Sequence, residues 1–221
     1  MSAARGLVRS MLVIGGATSV SIVLGILRAK VLALLLGPAG VAVLGFYGGI
    51  LQTGTQLAGL GIGQSGVRRL AASKDDPQEA SRVRRTLLIA HLVQGALGMV
   101  GIWLFRERIS LLLFDDAGHG FEVGLMGFGV LFSLISVSQS AQLQGFLRID
   151  ELAQAGILAA VLATAVGLTA IWWLGSDGLA LLVLAPIIIQ VLVSIPYVAR
   201  LPHAAVTMNL ATFWAQWREM A

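Results

Sequence analysis

Apolar residues run along this chain in six long blocks, separated by short connectors rich in charge, glycine or proline. The blocks cover about Leu12 to Leu36, Val41 to Leu60, Thr86 to Leu104, Gly124 to Phe146, Gln154 to Trp173 and Leu179 to Val198. A helix rises about 1.5 Å per residue, so each block can cross a hydrocarbon core of about 30 Å. Strands of a closed barrel would alternate over about ten residues instead, and these blocks do not. The pattern predicts an all-α, polytopic membrane protein, with a six-span lobe over residues 1–200. Residues 201–221 form a tail carrying Trp214 and Trp217, read as either an interfacial helix or the start of a seventh span.

The connectors fit this reading. Gly37-Pro38-Ala39-Gly40 predicts a tight turn between antiparallel helices, because proline presets φ and glycine permits the reversal. Gly59, Gly61 and Gly63 mark a place where the second span bends, unwinds or meets a neighbour closely. Arg68 to Arg85 is a long charged connector, and Gly175-Ser176-Asp177-Gly178 is another turn. With the amino terminus in the cytoplasm, Arg5, Arg9, Arg68, Arg69, Lys74, Arg82, Arg84, Arg85, Arg148 and Arg200 fall inside. Only Arg106 and Arg108 of the connector cations then fall outside, the asymmetry expected of a plasma-membrane protein.

Composition agrees: 57% of the 221 residues are hydrophobic and 12% charged, against about 25% charge in a soluble domain. The net charge of +4 sits between apolar blocks, with no groove-binding or stacking motif, so topology explains it and nucleic acid is not an expected partner. The chain has no cysteine, which removes disulfides and thiolate chemistry. Its acidic residues lie in connectors and tails, and no His-x-x-x-His or His-Glu pair is present. A non-enzymatic protein is expected, with no cofactor, metal site or catalytic residue.

Polar groups inside the spans carry the functional clues. Arg28 and Lys30 stand near the end of the first span, where an ionised group implies a water-filled path, a partner or an anionic ligand. They lie about 200° apart around a helix, so both cannot face one pore. Either Arg28 serves a lumen, or both side chains snorkel to the headgroups. Gln52 and Gln56 share a face of the second span, positioned either to hydrogen-bond sugar hydroxyls or to join helices. In the fourth span Ser136, Ser140 and Gln144 form an i, i+4 stripe, widened by Ser133, Ser138, Gln139 and Gln142. That stripe either lines an aqueous cleft or bonds to other helices. His91 in the third span, without a nearby carboxylate, is a weak candidate for proton coupling. Pro186 and Pro196 give the sixth span a hinge or a packing bend.

The run Arg28-x-Lys30-Val31-Leu32-Ala33, then Leu36-Gly37-Pro38-Ala39-Gly40-Val41-Ala42, Gln52, and Leu57-Ala58-Gly59-Leu60-Gly61-Ile62-Gly63 before Arg68-Arg69 resembles one known family. It is similar to the polysaccharide biosynthesis family of O-antigen flippases, within the multidrug, oligosaccharidyl-lipid and polysaccharide exporter superfamily. The resemblance implies two six-helix lobes around a central cavity, of which this chain resembles the amino-terminal one. It also implies translocation of an undecaprenyl-pyrophosphate-linked oligosaccharide across the bacterial inner membrane. Arg28 would meet the diphosphate or sugar, with Lys30 and Gln52 as further contacts. The expected partners are the lipid-linked oligosaccharide, membrane lipid, and a second lobe or a second copy of the chain. The competing expectation is a structural or regulatory membrane subunit that transports nothing itself.

Overall fold

The structure is a computed structural model that describes residues 2–202, 204 and 217; before Gly15, at several positions from there to Arg28, and at Leu174, Ser176 and Asp177, it describes the backbone alone. Six helices and one 3-10 turn make up the described chain: α1 (Ser2–Gly59), α2 (Ile62–Ala72), α3 (Pro77–Phe114), α4 (Gly120–Gly145), α5 (Ile149–Leu174), the turn Gly175–Gly178, and α6 (Leu179–Ala199). Of the tail, only Leu201, Pro202, Ala204 and Trp217 lie among the described residues.

Five segments of the described chain are long and apolar enough to cross a membrane: Ala29–Gly59, Pro77–Phe114, Gly120–Gly145, Ile149–Trp173 and Leu179–Ala199. The protein is a multi-pass membrane protein built as an all-α bundle. The first two expected spans both lie within α1, and α2 supplies the sixth helix. Gly37 is the one non-helical residue inside α1, at φ 65° and ψ −174°, a conformation open essentially to glycine alone. Where a four-residue turn was expected, the helix breaks at that single residue. It resumes at Pro38, whose missing N–H is harmless at the start of a helix.

Local chemistry explains the other boundaries. α1 ends where Leu60 and Gly61 take positive φ, 46° and 74°, at the glycine-rich stretch expected to bend. α2 was not expected: it begins in the glycine-rich stretch and runs into the charged connector that starts at Arg68, and its buried face is Ile62, Gly66 and Leu70, one residue per turn. Asp76 caps α3, accepting from the backbone N–H groups of Gln78 at 2.9 Å and Glu79 at 3.2 Å, with Pro77 following. α4 closes through Leu147 at φ 58°, where the Arg148 N–H donates to the Leu143 carbonyl at 2.9 Å and satisfies an orphan acceptor.

The α3–α4 pair forms the most extensive interface. Its helices meet backbone to backbone: a methyl group added at Gly127 would stand 2.9 Å from the Met99 carbonyl oxygen. One apolar cluster joins Leu32 and Tyr47 of α1 to Met126 of α4, Ile171 of α5 and Leu182 of α6. A second joins Ile62 and Leu70 of α2 to Val83 and Leu87 of α3 and Ala141 of α4. Leu34, Leu104, Leu112, Trp172 and Trp173 are exposed, an apolar surface that suits lipid and not water.

Candidate functional site

A cavity of about 470 Å³ opens where α1 ends, beside α2 and against α3 and α4. The last turns of α1 bring Thr55 and Gln56. Beyond the break at Leu60 and Gly61, α2 brings Gly63, Gln64 and Val67. Across from them α4 presents Leu134, Ser136, Val137, Ser140, Ala141 and Gln144, and α3 contributes His91. The break is what builds the space, because α2 departs from the line of α1 and becomes a separate wall. Gln56 and Gln64 are exposed, so the cavity is reached from outside the bundle.

The polar groups of α4 divide between two tasks. Ser136, Ser140 and Gln144 line the cavity. Ser138, Gln139 and Gln142 are buried on other faces of the helix. There Gln142 donates to the Ser138 hydroxyl at 3.3 Å, and Gln139 donates to the Val191 carbonyl of α6 at 3.3 Å. Both readings of the wide stripe therefore hold, each for a different set of residues.

Gln56, Ser136, Ser140 and Gln144 come together from the expected set. Gln52 is exposed one turn before Gln56 on the same face and does not line this cavity. Lys30 is exposed on α1, and the Arg28 side chain lies outside the described residues. Among the described residues no Asp, Glu, Lys or Arg lines the cavity; their polar groups there are hydroxyls, amides and one imidazole. Among the described residues no group of three or more histidine or acidic side chains is placed to hold a metal ion.

Thr55, Gln64 and His91 were not assigned to this site by pattern. His91 is fully buried; its Nδ1–H donates to the Leu87 carbonyl at 2.8 Å, while Nε2 has no protein partner. The Thr55 hydroxyl oxygen is buried without a partner as well. The polarity of His91 and Thr55 was legible, but their convergence depends on the α1–α2 break.

Arg84, two turns before His91 on α3, has the opposite character. Its guanidinium donates to Gln142 Oε1 at 2.9 Å, to the Pro202 carbonyl at 2.8 Å, to Val198 at 3.2 Å and to Leu201 at 3.5 Å. It ties α3 and α4 to the carboxyl end of α6, where helix carbonyls lack intrahelical donors. Read along the sequence, it was one more cation of a charged connector.

Compared with protein-family models, curated proteins and solved structures, the chain matches none.

Proposed function

We propose that the chain is one lobe of a flippase carrying an undecaprenyl-pyrophosphate-linked oligosaccharide, an O-antigen or related polysaccharide unit, across a bacterial inner membrane. Its amino terminus is cytoplasmic, and a second six-helix lobe or a second copy completes the path. The observation that supports this reading most is the cavity, which gathers amides and hydroxyls from α1, α2 and α4 in a bundle of membrane-spanning helices. Sugar hydroxyls leaving water need replacement hydrogen bonds, and uncharged amides and hydroxyls offer both donors and acceptors.

The diphosphate has different needs. It requires cations, which are not among the described residues lining the cavity, so the proposal places it toward Arg28, with Lys30 on the other side of the same helix. The polyprenyl tail stays in lipid while the lobes shield the polar head. Translocation then needs alternating access and no covalent step.

A fluorescent undecaprenyl-pyrophosphate oligosaccharide in proteoliposomes tests the reading. The chain, alone or with its partner lobe, is expected to accelerate crossing over protein-free vesicles, and Arg28→Ala to slow it by about tenfold. Crossing at the protein-free rate in both preparations would overturn the proposal. Because the chain has no native cysteine, cysteines introduced at Gln52 and Ser140 give a clean labelling background. Complete protection of both from aqueous reagents would favour a non-transporting subunit.

A further inference from the structure

The wall of the cavity holds an acceptor that the protein itself leaves unused. A carbonyl oxygen can only accept, so the bond to Leu87 fixes the proton of neutral His91 on Nδ1 and leaves a lone pair on Nε2. That lone pair has no partner although the ring is completely buried. Access to it depends on Gly63: a methyl group there would stand 3.9 Å from Nε2 and 2.8 Å from a Val137 methyl, narrowing the gap. Thr55, whose hydroxyl oxygen is also buried and unpartnered, lines the same cavity. Buried polar atoms in native structures are nearly always paired, so two orphans in one cavity identify a place where something else supplies the bond.

We infer that His91 Nε2 and the Thr55 hydroxyl form a binding subsite for a neutral polyol, in which a sugar hydroxyl donates to the imidazole. Neutrality follows from the described residues of the lining, which offer no charged side chain to an anion or a cation. An O–H donor follows from the His91 tautomer. Gln56, Ser140 and Gln144 in the same lining can bond the remaining hydroxyls of one sugar ring. The subsite deepens the flippase reading and rests on it for the ligand's origin, but not for the binding chemistry.

The test uses the full chain in lipid nanodiscs with methyl α-glucoside as probe and inorganic pyrophosphate as comparison. Saturation-transfer NMR on the sugar gives its affinity, and ¹⁵N-histidine labelling reports the ring nitrogens directly, with only three histidines in the chain. Saturable sugar binding is expected to move the His91 Nε2 resonance, while pyrophosphate leaves it in place. His91→Phe is expected to weaken binding by about tenfold, the loss of one well-made hydrogen bond. Thr55→Val and Gly63→Ala weaken it several-fold, and they answer the question if His91→Phe does not fold. An unmoved Nε2 resonance at saturating sugar, or an equal shift with pyrophosphate, would overturn the inference. Sugar binding with these signatures in a chain that fails the vesicle assay keeps the subsite and removes the flippase. Flipping with an unmoved resonance does the reverse.

Discussion

Arg84 and His91 lie seven residues apart on α3, and both carry polar groups into the bundle, yet their surroundings differ in kind. Arg84 has acceptors from α4 and the end of α6 around it, whereas His91 keeps one ring nitrogen without a partner beside a cavity. A polar group whose bonds are all made within the protein holds the fold together. One left with an unused lone pair in the wall of a cavity can pair with a ligand that reaches it. The same helix thus anchors at one level and receives at the next.

The contrast can be broken most severely at Arg84. Arg84→Met removes the donor to four acceptors at once and should cost about 3 kcal/mol, read as a lowered thermal unfolding midpoint in detergent. If stability is unchanged, the anchoring role is wrong. Next in size is Gly127→Ala, expected to cost about 1–3 kcal/mol because the added methyl meets the backbone of α3, which cannot yield as a side chain would. Gln142→Leu takes only one acceptor from Arg84 and should cost about 1 kcal/mol, with less than additive loss when combined with Arg84→Met. His91→Leu is the smallest and the most diagnostic. Removing an unsatisfied buried group for an apolar one of similar size should leave stability within about 1 kcal/mol of the parent, in either direction. A large loss there would make His91 a structural residue like Arg84.

The bundle was legible because apolar length is a strong signal in a membrane chain, and five of its segments keep that length among the described residues. The Gly59 to Gly63 break was legible for a different reason, since glycine concentrates where the backbone must leave the helix. α2 was not. Its eleven residues include Arg68 and Arg69, so its hydropathy resembles a loop, and only the Ile62, Gly66, Leu70 spacing hints at a buried face. The cavity was half legible: the Ser136, Ser140, Gln144 line follows from helical geometry, whereas the inclusion of His91 and Thr55 depends on how four helices converge. Arg84 was misplaced because charge in a connector signals topology, and nothing local reveals carbonyls arriving from the far end of the lobe.

The close approach at Gly127 has a mechanical consequence. With backbone against backbone, α3 and α4 behave as a single plank and offer little room for sliding. Any widening of the chamber falls to the opposite side, where two left-handed residues, Leu60 and Gly61, join the long first helix to its short successor. A molecule too large for the resting volume would have to displace that joint to enter.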